Sequence, residues 1–365
     1  MRFYRHFTHD LSGTLSSTIP FTADIITGMK SLYAKGPSEL EKIVKPEKSF
    51  QAKQLYSWLI KGVTDYDEMT NLPKKFREHL QKDFPSVISS RIVKVQKAPS
   101  ATKLLVELHD GALIECVMLT DAEDRKTACI SSQVGCAMGC SFCKTGTMGL
   151  IRNLEDYEIV EQMVHLRTLA EDITHIVFMG MGEPLHNFAA LMSAVTEFHR
   201  PEGYNISMRR MTVSTSGLVP GINRLTELNL GIRLAVSLVS ADDDLRSEIM
   251  KINRSYPLSE LKRALIAFQH ASGKRVTLEY CMLHGVNTTK ESAKQLSQFT
   301  KGLMCVVNLI PWNPIDELSY ETPSEAEIRS FTHELDLLRV PYTLRVTKGR
   351  SISGACGQLA TETRK

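Results

Sequence analysis

The stretch ISSQVGCAMGCSFC, residues 130–143, decides how the rest of the sequence is interpreted, because it places three cysteines within eight residues. Closely spaced thiolates are ligands for iron–sulfur clusters or for zinc. A structural zinc site takes four protein ligands, whereas the next Cys or His after Cys143 is His165. The triplet Cys136, Cys140 and Cys143 therefore favours a 4Fe-4S cluster, with a zinc knot and a chance group of buried cysteines as the alternatives.

Three protein ligands leave one iron of a four-iron cluster open to another ligand. The amine and carboxylate of an amino acid can chelate that iron, and S-adenosylmethionine (SAM) carries both groups. One electron delivered to SAM in this position breaks its sulfonium bond and gives a 5′-deoxyadenosyl radical. The spacing of the triplet therefore predicts radical SAM chemistry.

Strand-like and helix-like segments alternate from Lys126 onward. Six candidate strands and a seventh before the tail are Thr127–Ser131, His175–Met179, Arg210–Ser214, Arg233–Ser237, Arg275–Tyr280, Cys305–Ile310 and Tyr342–Val346. Amphipathic stretches at Tyr157–Leu169, Phe188–Phe198 and Leu258–His270 predict helices between them. This alternation is typical of an α/β fold with a parallel barrel, complete or partial.

Polar motifs directly follow most of these strands. After the cysteine triplet come Gly180-Met181-Gly182-Glu183-Pro184, Ser214, Ser237-Leu238 and Asn313. Taken singly, a turn explains the Gly–Glu–Pro sequence, a core hydroxyl either serine, and an Asx turn the asparagine. Because barrel enzymes build their active sites at the carboxyl ends of the strands, their order favours one shared cavity. In that cavity Glu183 would accept a hydrogen bond from the SAM amine.

The sequence ahead of the triplet predicts a small helical region followed by a β-meander. Helical periodicity covers Phe50–Ile60 and resumes after Pro73. Alternating apolar and polar residues lie at Arg91–Val95, Lys103–Leu108 and Ala112–Leu119. We therefore expect helices and then three strands that lead into the barrel.

Charge is distributed unevenly along the chain. Residues 1–100 carry 16 Lys and Arg against 10 Asp and Glu, a net charge of +6, and residues 101–365 carry 28 against 31, a net charge of −3. A basic segment of this size either holds a polyanion such as RNA or is an ordinary solvated surface.

The bulk composition is that of a soluble globular protein, since 42% of the 365 residues are hydrophobic and 23% are charged. The sequence has no run of 18 apolar residues and no basic segment followed by an apolar stretch, so we expect neither a membrane span nor secretion. A Ser/Thr-rich piece from Ser12 to Thr22 is interpreted as a loose extension. The eight cysteines are spread through a long chain, which disfavours a disulfide scaffold and predicts a cytoplasmic location.

Motifs distributed over residues 50–360 give the sequence a specific resemblance. They are FQAKQLYSWLIKGVTDYDEMTNLP (50–73), ISSQVGCAMGCSFC (130–143), VFMGMGEPL (177–185), TVSTSG (212–217), EYCMLHGVN (279–287), VNLIPWNP (307–314) and ACGQLA (355–360). In order and spacing they resemble the RlmN/Cfr family of RNA adenine methyltransferases. The resemblance implies an α/β fold with a radical SAM partial (β/α)6 barrel, a 4Fe-4S cluster and two SAM molecules per turnover.

The resemblance also implies residue roles. Cys356 would be the S-methylcysteine intermediate, Cys129 would release the product through a transient disulfide with Cys356, and Glu115 would be the proton acceptor. The implied SAM contacts are Gly182, Glu183, Ser214, Ser237, Leu238, Val239 and Asn313. Three positions depart from the family pattern, since Val239 stands where the family has His, Cys116 where Thr is usual, and Lys144 where a small residue is common.

Four regions follow from this interpretation. We expect an N-terminal helical, basic RNA-binding domain at 1–88, a linking β-meander at 89–122, a radical SAM core at 123–350, and a C-terminal catalytic cysteine loop and tail at 351–365.

The implied reaction is methylation of C2 of an adenine in 23S ribosomal RNA, with an anticodon-loop adenine of tRNA as a possible second substrate. The alternative within the family is the Cfr-type reaction at C8. An alternative of another class is a non-catalytic, metal-containing RNA-binding protein. An electron donor such as flavodoxin or ferredoxin and a monomeric state complete these expectations.

The first prediction concerns the cluster. After anaerobic reconstitution we expect about four irons per chain. Replacing Cys136, Cys140 and Cys143 together by Ala should abolish both iron binding and SAM cleavage, because the cluster loses every protein ligand. Iron analysis and the release of 5′-deoxyadenosine measure the two effects. A triple variant that keeps its full iron load would contradict the assignment.

Overall fold

The computed structural model describes residues 30–345 and 348–360. The Ser/Thr-rich piece at Ser12 to Thr22 and the predicted end of the seventh strand at Val346 lie outside the described residues. In the part of the chain that is described, no helix combines the length and apolar character needed to cross a membrane.

The predicted helices and strands occur in the expected order, and the described residues also contain a helix at Pro37–Val44 and two short strands at Gln133–Gly135 and Leu150–Asn153 that the sequence analysis does not predict. The helices are α1 (Pro37–Val44), α2 (Phe50–Lys61), α3 (Lys74–Asp83), α4 (Lys144–Thr147), α5 (Asp156–Arg167), α6 (Phe188–His199), α7 (Val219–Leu228), α8 (Asp243–Ile249), α9 (Leu258–Ser272), α10 (Lys290–Thr300) and α11 (Glu325–Leu337). The strands are β1 (Arg91–Ala98), β2 (Ala101–Glu107), β3 (Leu113–Thr120), β4 (Lys126–Cys129), β5 (Gln133–Gly135), β6 (Leu150–Asn153), β7 (Ile173–Phe178), β8 (Met211–Thr215), β9 (Arg233–Ser237), β10 (Val276–Met282), β11 (Cys305–Pro311) and β12 (Tyr342–Leu344).

Ten strands form one sheet in the order β1-β2-β3-β4-β7-β8-β9-β10-β11-β12, and β5 and β6 form a separate ribbon. Pairing from β1 to β4 is antiparallel. Pairing from β4 through β7, β8, β9, β10 and β11 to β12 is parallel throughout. Helices connect the parallel strands, so the predicted α/β partial barrel with a preceding meander is confirmed.

The predicted strands agree with the observed ones to within a few residues. β9 has the predicted bounds, whereas β10 continues two residues beyond the predicted end at Tyr280. The extension follows from pairing, because Cys281 and Met282 lie opposite Ile310 and Pro311 of β11. Local patterns do not reveal where a neighbouring strand stops supplying hydrogen bonds.

Apolar sequence explains why these elements pack together. The consecutive residues Leu234, Ala235 and Val236 of β9 are all buried, as expected for a parallel strand that is covered on both faces. In α9, Leu261 and Leu265 form part of one buried stripe at helical spacing. That helix ends at Gly273, whose φ of +66° is the left-handed conformation that glycine adopts without strain.

Buried polar contacts join the N-terminal helices and the meander to the barrel. The Tyr56 hydroxyl of α2 donates to Oε1 of Glu197 in α6 at 2.7 Å. The Ser89 backbone N–H donates to Oε1 of Glu161 in α5 at 2.9 Å, and the Ser90 hydroxyl donates to the same carboxylate. The sheet also runs without a break from the meander into β4. The boundaries at 88, 122 and 350 stay predictions.

Candidate active site

A cavity that opens to solvent lies at the carboxyl ends of the parallel strands, and its space, including the part open to solvent, is about 1060 Å³. Its wall contains residues that follow β4, β7, β8 and β9, together with residues of the C-terminal segment. Those expected from the sequence are Cys136, Cys140, Cys143, Gly182, Glu183, Ser214, Ser237, Val239 and Cys356. Strand ends from distant parts of the chain therefore meet at one site, as the parallel topology requires.

Backbone contacts hold the cysteine triplet against this cavity. The Cys136 N–H donates to the Gly149 carbonyl at 2.8 Å, which continues the β5–β6 ribbon. Gly135 is required there, because a Cβ at that position would lie 1.9 Å from the Gly149 oxygen. The Ser141 N–H donates to the Ile249 carbonyl at 3.0 Å and attaches the loop to α8.

The donor set fits an iron–sulfur cluster. Burial raises the pKa of Cys136 to about 12 and also raises the pKa values of Cys140 and Cys143. Positive charge from bound iron is what would hold such thiols as thiolates. A zinc knot gathers its ligands around one ion at about 2.3 Å. Nowhere in residues 30–345 and 348–360 do three or more Cys, His, Asp or Glu side chains converge in this way. The three thiols instead border a space large enough for a cluster and a second ligand.

Glu183, which follows β7, is held in place by Ser216, which follows β8. Its Oε2 accepts hydrogen bonds from the Ser216 N–H at 2.7 Å and the Ser216 hydroxyl at 2.9 Å, and its Oε1 accepts from the Leu185 N–H at 3.1 Å. Burial raises the pKa of Glu183, and these donors oppose that rise. Gly182 next to it has a φ of +101°, and a Cβ there would lie 2.5 Å from Gln133.

The remaining predicted SAM contacts are not all on the same wall. Ser237 and Val239 line the large cavity, whereas Leu238 between them is fully buried in the core. Val239 has a φ of +59°, and its N–H donates to the Glu279 carbonyl at 3.3 Å. Asn313 lines a smaller, neighbouring cavity.

Both predicted reactive thiols line that smaller cavity. Cys129 and Cys356 line it together with Asn313 and Arg345, and Cys356 and Arg345 also line the large cavity. Nη1 of Arg345 lies 3.4 Å from the Cys356 sulfur. Cys356 therefore stands where the two cavities meet, between the cysteine triplet and Cys129.

Hydrogen bonds hold the C-terminal loop in this position. The Lys144 N–H of α4 donates to the Gly357 carbonyl at 2.8 Å, and Nδ2 of Asn313 donates to the Cys356 carbonyl at 3.1 Å. The loop thus depends directly on the residue that follows the last cysteine of the triplet.

Glu115 lies in a separate, buried contact. Its Oε1 forms an ion pair with Nζ of Lys103 at 2.7 Å, and its Oε2 accepts from the Ala360 N–H at 3.0 Å. Burial raises the pKa of Glu115, and Lys103 is the strongest opposing influence. Nζ of Lys103 also donates to the Ser353 carbonyl at 3.2 Å. The predicted proton acceptor is therefore covered by the C-terminal segment in this structure.

Sequence reasoning missed several residues of the site. Lys103 could have been noticed as a charge inside the strand segment TKLLV, and Ser216 as part of TVSTSG. Arg345 and Cys281 also line the large cavity. Cys281 lies within the motif EYCMLHGVN, whereas Arg345 carries no local signal. Every one of the eight cysteines is a free thiol. The transient disulfide between Cys129 and Cys356 stays a prediction.

Comparison with known proteins places this site in a family. Residues 130–296 match the family model described as the radical SAM superfamily, and residues 39–84 match the ribosomal RNA large subunit methyltransferase N-terminal domain. A probable dual-specificity RNA methyltransferase RlmN from Treponema denticola is 47% identical, over 89% of this chain and 94% of its own. The dual-specificity RNA methyltransferase RlmN of Anaeromyxobacter dehalogenans is 43% identical, over 87% of each chain.

The chain belongs to the RlmN family. The crystal structure of a radical SAM methyltransferase from Sphaerobacter thermophilus has the same fold, with a TM-score of 0.87 and 41% identity over 91% of this chain and 99% of that one. The predicted family, fold and enzyme class are confirmed: the protein is a radical SAM methyltransferase, and its cofactors are a 4Fe-4S cluster and SAM. The roles of individual residues stay predictions.

The second prediction concerns the Lys103–Glu115 pair. Replacing Lys103 by Met should lower the free energy of unfolding by about 3–5 kcal/mol at neutral pH, because it leaves a buried carboxylate without its cation. A carboxyl whose folded-state pKa lies above the unfolded value loses stability as the pH rises through those two values. The loss should therefore be smaller at pH 5 than at pH 8, which denaturant titrations at both pH values measure.

Two further variants provide the controls. Lys97→Met removes an exposed lysine from β1 and should change the free energy of unfolding by no more than about 0.5 kcal/mol. The double variant Lys103→Met, Glu115→Gln should recover most of the lost stability, because no buried charge remains. A double variant as unstable as Lys103→Met would mean that packing, not charge, explains the effect.

Proposed function

We propose that this enzyme methylates C2 of an adenine in 23S ribosomal RNA and, as a second substrate, an anticodon-loop adenine of tRNA. The family model for residues 39–84 supports a large-subunit ribosomal RNA, and the dual specificity in the relatives' names supports a second RNA. The observation that carries the mechanism is the position of Cys356, which borders both the cavity of the cysteine triplet and the cavity of Cys129.

In this proposal Cys136, Cys140 and Cys143 hold the cluster, and the predicted SAM contacts hold the methyl donor beside it. When bound, the cluster and SAM supply both a methyl group and a 5′-deoxyadenosyl radical. The Cys356 sulfur would lose its proton and take the methyl group of one SAM, which would leave as S-adenosylhomocysteine. The 5′-deoxyadenosyl radical from a second SAM would remove a hydrogen atom from that S-methyl group and become 5′-deoxyadenosine. The carbon radical left on Cys356 would add to the adenine ring, and the adduct would lose one electron to the oxidised cluster.

Glu115 and Cys129 have separate roles in the release of the product. Glu115 accepts the proton from the ring carbon that has gained the methylene group. The Cys129 thiol loses its proton and its sulfur attacks the Cys356 sulfur, so that a disulfide forms and the carbon–sulfur bond breaks. The departing carbon keeps the electron pair of that bond and takes up a proton to become the methyl group. Arg345 lies beside Cys356, with its Nη1 3.4 Å from the Cys356 sulfur. Glu115 can act only after the Ala360 N–H has moved away from its carboxylate.

The surroundings of the reaction form part of the same proposal. The basic segment 1–100, with its net charge of +6, would contact RNA phosphates. We place the enzyme in the cytoplasm as a monomer that takes electrons from a flavodoxin or a ferredoxin. The Cfr-type reaction at C8 is the second candidate, because it would use the same residues. The alternative of a non-catalytic, metal-containing RNA-binding protein is disfavoured, because the two thiols with proposed catalytic roles line one cavity.

Mass spectrometry of nucleosides tests the substrate and the methylated atom together. Cells without their own enzyme of this family, expressing this chain, should contain 2-methyladenosine in both 23S ribosomal RNA and tRNA. Cells that express Cys356→Ala provide the matched control and should contain none. Detection of 8-methyladenosine instead would contradict the proposed C2 reaction, and methylation of ribosomal RNA alone would remove tRNA from it.

A further prediction separates the two reactive thiols. Cys129→Ala should stall with protein linked covalently to RNA through Cys356, because no thiol remains to displace the substrate carbon. Cys356→Ala should form no link, because it cannot carry the methyl group. On a denaturing gel the Cys129→Ala adduct should appear as a shifted band that nuclease removes.

Other cysteines supply the controls. Cys305→Ala, outside both cavities, should turn over like the unaltered enzyme. If Cys129→Ala also turned over normally, Cys129 would not be the resolving thiol. The double variant Cys116→Ala, Cys129→Ala would then test whether Cys116, which lies on the neighbouring strand β3, has taken over that role.

A further inference from the structure

Arg246 of α8 is the largest side chain that is completely buried among the described residues, with 0% exposure. Its guanidinium donates to the Leu238 carbonyl at 3.0 Å, to the Ser216 carbonyl at 2.6 Å and to the Ser237 carbonyl at 3.2 Å. A fourth bond goes from Nη1 to Oδ1 of Asn253 at 2.8 Å. All four acceptors are neutral oxygens.

This cation has no direct counter-ion in the described part of the chain. Within residues 30–345 and 348–360, no carboxylate lies within ion-pair distance of Arg246. Asp243 is linked to it through Asn253, whose Nδ2 donates to the Asp243 carboxylate at 2.9 Å. Burial lowers the pKa of Arg246 to about 10, so the guanidinium remains protonated at neutral pH.

The position of Arg246 relates it to the proposed cluster. The helix that carries it is bonded to the triplet loop through the Ile249 carbonyl, which accepts from the Ser141 N–H at 3.0 Å. Cys140 belongs to the same buried apolar cluster as Ile249 and Met250 at the end of that helix. The Arg246 charge also acts on the Cys140 thiol, whose pKa it lowers against the stronger effect of burial.

A positive charge without a direct counter-ion affects the oxidised and reduced states of a nearby cluster to different extents. A 4Fe-4S cluster with three thiolates has a net charge of −1 when oxidised and −2 when one electron has been added. A fixed positive charge nearby stabilises the second state more than the first. Net charge and hydrogen bonding around a cluster are among the factors that set its reduction potential.

We propose that Arg246 raises the reduction potential of the 4Fe-4S cluster by placing an unneutralised positive charge behind Cys140. Its bonds to the carbonyls after β8 and β9 fix that charge in position beside the cavity. This role goes beyond the proposed function, because it concerns electron uptake and is independent of the RNA atom that is methylated. It rests on the assignment of Cys140 to the cluster.

A redox titration of the reconstituted full chain without SAM tests the proposal. Dithionite is the reductant, and electron paramagnetic resonance of the reduced cluster is the readout. At the midpoint potential of the unaltered protein, the ratio of reduced to oxidised cluster should be about tenfold lower in Arg246→Gln, a shift of about 59 mV to more negative potential for one electron. Arg246→Lys should keep a potential close to that of the unaltered protein, because it keeps the charge although it cannot reach all four oxygens.

The matched control is Arg254→Gln, an exposed arginine in the turn after α8, which should leave the potential unchanged. Iron content tests the cluster assignment separately from the role of Arg246. An unaltered chain that binds fewer than about four irons would refute the cluster assignment. Unchanged potential in an iron-loaded Arg246→Gln would overturn the role of Arg246. If Arg246→Gln does not hold iron, Arg246→Lys provides the test. A reduction potential that becomes more negative in Arg246→Lys, although the positive charge is retained, would also overturn the role of Arg246.

Discussion

The parallel register of β4 and β7 to β12 is the constraint on which the rest of the structure depends. Hydrogen bonds between parallel neighbours bring the carboxyl ends of the strands to the same edge of the sheet. Residues that are far apart in sequence then become direct partners, as Glu183 after β7 and Ser216 after β8 do. A strand displaced by one residue would turn its inward side chains to the opposite face and separate these groups.

Buried ionisable groups lie around the edge of the sheet that the carboxyl ends of the parallel strands form. Lys103 forms an ion pair with Glu115, and Arg345 lies beside the Cys356 sulfur. Arg246 donates its hydrogen bonds to neutral oxygens only. Such groups destabilise an isolated fold, and in a site that binds a cluster and SAM they supply fixed charge that solvent cannot.

The C-terminal segment connects these parts. It contributes Cys356 to both cavities, bonds to the residue after Cys143 through Gly357, and covers Glu115 through Ala360. One short loop therefore contacts three places: the cysteine triplet, the smaller cavity and the predicted base. Movement of this loop would change all three contacts together.

The sequence by itself determined the order and type of the barrel elements, because periodicity and strand-end motifs depend on neighbours along the chain. It also identified the cysteine triplet, since the spacing of Cys136, Cys140 and Cys143 is local. The tertiary structure alone decided which charges are buried, that Arg246 lacks a counter-ion among the described residues, and that Lys103 neutralises Glu115. Those properties depend on strands and helices that pack together from distant parts of the chain, and no local pattern records them.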